Sequence, residues 1–191
     1  KKIWWKCNKS NCHEWECIIQ NRVKGNGCPY CAGQKICKNI DCKSCIIKTF
    51  FINDKSKYWS NKNTVKPYEV FNNAKAKYWF LCNKCNHDFE TSLNNISSNN
   101  RWCPYCENLK LCNNVECVEC YNKSFASHEK AKYWNDEKNV DVDIRKIFMN
   151  ANDKYWFDCE CGHIFNATLA SITRGNWCPY CCFPAIKLCD D

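Results

Sequence analysis

Long apolar runs are missing from this chain of 191 residues, and nothing in it approaches the roughly 18–20 consecutive apolar residues of a membrane-spanning helix. No membrane insertion is expected. The opening Lys1-Lys2-Ile3-Trp4-Trp5 has none of the apolar core of a signal peptide, which points to a reducing compartment. Glycine is scarce, with five residues, and no glycine-rich phosphate cradle, P-loop or nucleophile elbow occurs. Paired-carboxylate clusters are also missing. Histidine is limited to four residues, too few for a zinc-hairpin nuclease that needs a second histidine in every unit. A small-molecule substrate and an enzymatic role are therefore not expected. Arginine stands only at Arg22, Arg101, Arg145 and Arg174, which is thin for phosphate recognition.

Cysteine, by contrast, is abundant, with 21 residues. Cys-Pro-Tyr-Cys occurs three times, at Cys28–Cys31, Cys103–Cys106 and Cys178–Cys181, each copy 75 residues after the last. A fixed period of this length marks a repeat array. Thiols that come as short-range pairs suit a tetrahedral zinc ion better than widely spaced cross-links do.

Three cores align on that period. Each opens with an aromatic run, Lys2–Lys6, Lys77–Leu81 or Lys154–Asp158, that favours extended chain. A turn with the first donors follows, then a second strand holding Trp15, Phe89 or Phe165. Leu93/Ile96 and Leu169/Ile172, three apart, predict a short helix before the last cysteine pair. Trp4, Trp79 and Trp156 recur at one strand position and are expected to fill the core between zinc sites.

The donor spacings are Cys7-x4-Cys12 with Cys28/Cys31, Cys82-x2-Cys85 with Cys103/Cys106, and Cys159-x-Cys161 with Cys178/Cys181. A unit of roughly 33 residues cannot hold itself by apolar burial alone, and zinc can supply about 10 kcal/mol of its folding energy. At least three zinc ions are expected. His13, His87 and His163 stand just after the second cysteine of each core and are alternative ligands, most plainly His163, since a Cys159–Cys161 bite is short. Between the cores, Cys37, Cys42 and Cys45 are answered by Cys112, Cys117 and Cys120. These triplets define two further candidate sites, each wanting a fourth ligand, or else buried clusters without metal. His128 could complete the second triplet, but Asn53 stands at its counterpart in the first. Ser127 is the candidate cap of a short helix there. Cys17, Cys182 and Cys189 are expected to pack or to belong to an incomplete next unit.

Cys-Pro-Tyr-Cys is also the dithiol of glutaredoxin-like enzymes, but that chemistry needs a βαβ domain of roughly 100 residues, which does not fit between these motifs. Formal net charge is +8, with 15 basic and 5 acidic side chains in residues 1–76 and 13 against 15 in the remainder. Four-thiolate zinc centres each add −2, so three would bring the total to about +2. The candidate nucleic-acid face is confined to Lys2, Lys6, Lys9, Arg22 and Lys24 with the lysines of the first connector.

The chain divides on this reading into zinc core 1 (1–34), connector 1 (35–76), core 2 (77–109), connector 2 (110–153), core 3 (154–185) and the start of a further repeat (186–191). The fold class is a small zinc-stabilised α+β array of short hairpins and helices. The motifs Lys-Tyr-Trp-Phe-x-Cys, Cys-x-His-x-Phe, Trp-Cys-Pro-Tyr-Cys, Leu-Cys-x4-Cys-x2-Cys and Ser-Phe-Ala-Ser-His resemble the treble-clef/zinc-ribbon repeat family of giant DNA viruses and some bacterial proteins. The resemblance spans essentially the whole chain. It implies zinc on Cys82, Cys85, Cys103 and Cys106 and on their counterparts, and keeps His13, His87 and His163 as alternatives. Cys7-x4-Cys12 and Asn53 depart from the pattern.

Some members of that family are fused to restriction-endonuclease-like domains, and most have no assigned activity. The rigid repeat, the patchy charge and the missing catalytic set point to a non-catalytic scaffold binding other proteins of a larger assembly, expected in a virion, host cytoplasm or virus factory. The alternative is a DNA- or RNA-binding module accessory to a nuclease.

Overall fold

The computed structural model describes residues 1–188, so Cys189 lies outside the described residues. They fall into two compact units, Lys1–Cys103 and Pro104 onward.

The first unit begins with an antiparallel hairpin, β1 (Lys2–Lys6) against β2 (Glu14–Ile18), in the register Trp5 opposite Trp15. Helix α1 (Ile19–Val23) follows directly, then the Cys28–Cys31 knuckle and α2 (Lys43–Ile46). After three 3₁₀ turns the pattern returns as β3 (Lys77–Leu81), β4 (Asp88–Ser92) and α3 (Leu93–Ser97). The second unit carries α4 (Val118–Lys123), three 3₁₀ turns, the hairpin β5 (Lys154–Asp158) and β6 (Ile164–Thr168), and α5 (Leu169–Thr173). The helices expected from Leu93/Ile96 and Leu169/Ile172 are therefore present, and all four side chains are buried. Ser92 and Thr168 cap α3 and α5 by accepting from the Asn95 and Ser171 N–H groups at 3.3 and 3.1 Å. Ile18 leaves α1 uncapped, and α1 buries no residue.

Each hairpin turns one residue of its aromatic run inward. Phe80 and Phe157 are fully buried. Around Phe80 stand Phe50, Trp59, Phe89 and Trp102, at ring separations of 5.6, 5.3, 5.8 and 5.4 Å. Around Phe157 stand Phe125, Trp134, Phe165 and Trp177, at 5.8, 5.6, 5.9 and 5.8 Å. The two nests are the same packing made twice. The tryptophans one position earlier point the other way: Trp4 is 72% exposed and Trp79 36%, and Trp156 is half-buried. The expectation that they form core is corrected by strand alternation, which gives the inward place to their neighbours Trp5, Phe80 and Phe157.

Connector residues pair with the outer edge of the second and third hairpins. Trp59 bridges Phe80, and Trp134 bridges Phe157. Asn63 then acts as a surrogate strand: its Oδ1 accepts from the Trp79 N–H at 2.9 Å and its Nδ2 donates to the Trp79 carbonyl at 2.7 Å. Asn139 does the same for Trp156 at 3.0 and 2.9 Å. No helix among the described residues is long and apolar enough to cross a membrane.

Candidate metal centres

The knuckle before each second strand is shaped by the backbone. The Cys7 N–H donates to the His13 carbonyl at 3.0 Å, Cys82 to His87 at 3.0 Å, and Cys159 to His163 at 2.8 Å. Asn86 and Gly162 take positive φ, 53° and 82°, to close the second and third turns. These bonds hold the first cysteine against the returning chain, where the Cys-Pro-Tyr-Cys knuckle meets it.

In the first core the donors that converge are Cys7, His13, Cys28 and Cys31, all within 4.8 Å of one another. Cys7 and Cys31 sulfurs stand 3.6 Å apart, and His13 Nδ1 is 3.6 Å from both Cys28 and Cys31 sulfurs. In the third core the set is Cys159, His163, Cys178 and Cys181. Its Cys159–Cys181 separation is 3.4 Å, and His163 Nδ1 lies 3.8 and 3.4 Å from Cys178 and Cys181. Two donors sharing a tetrahedral zinc stand about 3.5–3.8 Å apart, given Zn–S near 2.3 Å and Zn–N near 2.0 Å. In the first unit Cys85 and Cys103 sulfurs stand 3.6 Å apart, with Cys82 buried in the same unit. Cys106 lies in the second unit.

Two of the expected knuckle donors are thereby displaced. Cys12 leaves the first core, since the long x4 knuckle carries it toward the connector, where its sulfur lies 3.7 Å from that of Cys37. Cys161 is exposed and stands outside the compact third set, although its thiol reaches Cys159 and Cys181 from the rim; His163 fills the fourth place. Tyr30 and Tyr180 of the Cys-Pro-Tyr-Cys motifs stack on His13 and His163, each at 4.9 Å. That role was missed in the sequence, although a tyrosine in every copy was its signal.

The connector triplets are also organised. Cys12, His13, Cys37 and Cys42 form one compact group, and Cys45 lies 3.2 Å from His13 Nε2. In the second unit the Cys112 N–H donates to Cys120 sulfur at 3.3 Å, and the Cys120 N–H to Cys117 sulfur at 3.5 Å. His128 is engaged elsewhere: its Nδ1 accepts from the Lys130 N–H at 3.1 Å and its ring stacks on Phe125 at 5.0 Å. It, rather than Ser127, caps the 3₁₀ turn Glu129–Tyr133. Asn53 performs the same capping of Asp54–Tyr58, accepting from Lys55 at 3.0 Å, so the Asn53/His128 difference leaves the fold unchanged. Lys48 and Lys123 pin the knuckles from below. Lys48 Nζ donates to the Tyr30 and Cys31 carbonyls at 3.1 and 3.0 Å, and Lys123 Nζ to Tyr105 at 2.6 Å.

The electrostatics call for a cation. The Lys9 N–H, donating to Cys7, pulls that thiol down to about 7, while burial pushes Cys31 beside it up to about 12. In the first connector, burial raises Cys42, but hydrogen bonds from Ser44, Cys12, the Cys45 backbone and Ser10 outweigh it and bring the thiol to about 5. Burial holds Cys37 up to about 12. Cys120 is likewise pushed to about 12 by burial, and Cys181 is raised by its hydrogen bond to Cys159. In the first core and the first connector a thiol drawn down thus stands beside one pushed up. A bound dication lets the rest ionise. Five such groups of cysteine and histidine donors occur among the described residues, and zinc fits them.

Of the basic residues singled out for nucleic acid, Lys2 and Lys6 share the outer face of β1 with Trp4, and Lys6 pairs with Glu14 at 3.5 Å. Lys9 and Lys24 are exposed. Arg22 is withdrawn from that face: its guanidinium lies 5.0 and 5.6 Å over the Trp5 and Trp15 rings. Cys17 and Cys182 donate to the Ile18 and Pro179 carbonyls, both at 3.3 Å.

Hairpin, short helix and two thiol knuckles closing on one tetrahedral donor set define a zinc-finger repeat protein. The chain belongs to the family described as "Probable Treble clef zinc finger domain", whose model matches residues 1–34, 56–109 and 130–183. The second and third matches start inside the connectors, where Trp59 and Trp134 begin to cover the hairpins. An uncharacterized protein of Acanthamoeba polyphaga mimivirus is 32% identical over 167 residues, covering 84% of this chain and 40% of the relative. A protein of Escherichia phage T5, named as a candidate endonuclease, is 28% identical over 109 residues, covering 57% of this chain and 33% of the relative.

Proposed function

We propose that the chain is a non-catalytic, zinc-stapled repeat scaffold that binds other proteins of a larger assembly. The observation that carries this reading is the outer face of the hairpins. Trp4 and Trp79 stand exposed there, and their cross-strand partners are Glu16 and Glu90. Exposed aromatics among charges of both signs suit a protein partner, whereas a phosphate backbone is repelled by those carboxylates. The zinc is structural on this reading. The sets Cys7/His13/Cys28/Cys31 and Cys159/His163/Cys178/Cys181 each supply four protein donors, and a catalytic zinc keeps one position for water or substrate. Placement in a virion or virus factory is part of the same proposal, supported by the mimivirus relative.

A second reading, accessory nucleic-acid binding, is favoured by one feature of the same face. Lys62 Nζ lies 5.1 Å over the Trp79 ring and Lys138 Nζ 4.3 Å over Trp156, and lysine beside an exposed indole is an element of base-stacking platforms. The phage relative supports it too. Fluorescence anisotropy of the zinc-loaded chain with duplex DNA, single-stranded DNA and RNA, titrated with salt, decides between them. Dissociation constants weaker than about 100 μM at 50 mM salt are expected. Micromolar binding that weakens by about a thousandfold at 200 mM salt would refute the scaffold reading.

A further inference from the structure

His13 is fully buried and faces thiols with both ring nitrogens. Nδ1 lies 3.6 Å from Cys28 and Cys31 sulfurs, on the side of the first core. Nε2 lies 3.2 Å from Cys42 and Cys45 sulfurs, on the side of the first connector. Those two separations are chemically different. The longer one matches an imidazole nitrogen and a thiolate bound to one tetrahedral zinc, about 3.5–3.6 Å. The shorter one matches an N–H group donating to sulfur.

The donor count agrees with that division. The core supplies three thiols, Cys7, Cys28 and Cys31, and lacks a fourth because Cys12 has moved away. The connector supplies four, since Cys12 sulfur stands 3.7 Å from that of Cys37 and groups with Cys37 and Cys42, and the Cys45 thiol hydrogen-bonds with Cys37 and Cys42. A connector zinc therefore needs nothing from His13 as a ligand, while its four thiolates carry excess negative charge that an N–H donor stabilises.

We propose that His13 couples two metal centres through one ring. Nδ1 is the fourth ligand of a core zinc held with Cys7, Cys28 and Cys31. The Nε2–H group donates to the Cys42 and Cys45 thiolates of a second, four-thiolate zinc held by Cys12, Cys37, Cys42 and Cys45. The tautomer is fixed by this pair of roles, since the nitrogen that binds metal cannot carry the proton. The Tyr30 ring stacked on His13 keeps the imidazole between the two sites. His163 in the third core shares the Nδ1 role and the tyrosine stack.

The inference rests on the zinc reading of these sites, and the test separates the two. The full chain is reconstituted with ¹¹³Cd and ¹⁵N-histidine, and the ring nitrogens are read by NMR. The expected result is scalar coupling of His13 Nδ1 to one cadmium, with a proton on Nε2. Coupling at both nitrogens, or at neither in a cadmium-loaded chain, would overturn the proposal. A chain that takes up no cadmium would refute the metal centres themselves. The substitution His13→Cys gives a second readout, because it keeps a donor for the core and removes the Nε2–H group. Native mass spectrometry is expected to show an unchanged zinc count, with one zinc lost to a chelator about tenfold faster or more. An unchanged release profile would contradict the coupling.

Discussion

Replacing His163 by alanine is expected to empty the third-core zinc site, whereas replacing Cys161 by serine is expected to leave it filled. The magnitude follows from the donor set. Zinc binding to a structural site of this kind is worth about 10–16 kcal/mol, and spread over four donors that is about 2.5–4 kcal/mol each. At about 1.4 kcal/mol per factor of ten, losing His163 weakens zinc by roughly two to three powers of ten. The loss is deepened because His163 also gives the Tyr180 ring its stacking partner at 4.9 Å. Cys161 is exposed and outside the donor set, and an exposed substitution typically changes stability by about 0.5 kcal/mol or less. The assay is competition of the zinc-loaded chain against a chromophoric chelator, with native mass spectrometry counting the ions. If Cys161→Ser loses a zinc and His163→Ala keeps all of them, the argument from knuckle geometry fails.

Three other perturbations test different levels of the structure. Phe157→Ala removes a fully buried ring from its nest and is expected to destabilise the second unit by about 3–5 kcal/mol in denaturant unfolding, whereas Trp4→Ala, on an exposed face, changes the first unit by less than about 1 kcal/mol. Asn139→Ala removes two hydrogen bonds to Trp156 and leaves its backbone groups without that partner, a cost of about 1–3 kcal/mol that hydrogen exchange at the Trp156 amide will report. Acidification from pH 7 to pH 5 is expected to release zinc, because thiolate ligands must take up protons to let go of the metal; affinity falls as pH falls, and metal-dependent near-UV dichroism follows it.

The convergence of the thiol pairs Cys28/Cys31 and Cys178/Cys181 on their hairpins was legible from spacing alone, as were the hairpins from their aromatic runs and α3 and α5 from leucine and isoleucine three apart. The exchange of Cys12 for His13 was not. Which of two adjacent donors turns inward depends on how many residues the knuckle spends before the second strand, and that is settled only when the strands pair in register. His128 misled for a different reason. A histidine at a cap and a histidine at a metal look alike in sequence, and Asn53 at the equivalent place was the clue that the position serves the backbone. Trp4, Trp79 and Trp156 were misplaced by trusting recurrence over alternation: the residue beside each of them occupies the inward place. Asn63 and Asn139 carried no signal at all, because an amide that imitates a strand is composed of the commonest loop residue in this chain.

Those two asparagines bear on how the polypeptide folds without confusing its own parts. Neighbouring hairpins of similar sequence within one chain invite mispairing, since an open strand edge accepts any segment that presents N–H and carbonyl groups in step. The amide of Asn63 occupies both backbone groups of Trp79, and that of Asn139 both groups of Trp156. A locked edge of this kind gives the second and third modules privacy, so that tandem copies can mature along one chain without exchanging strands.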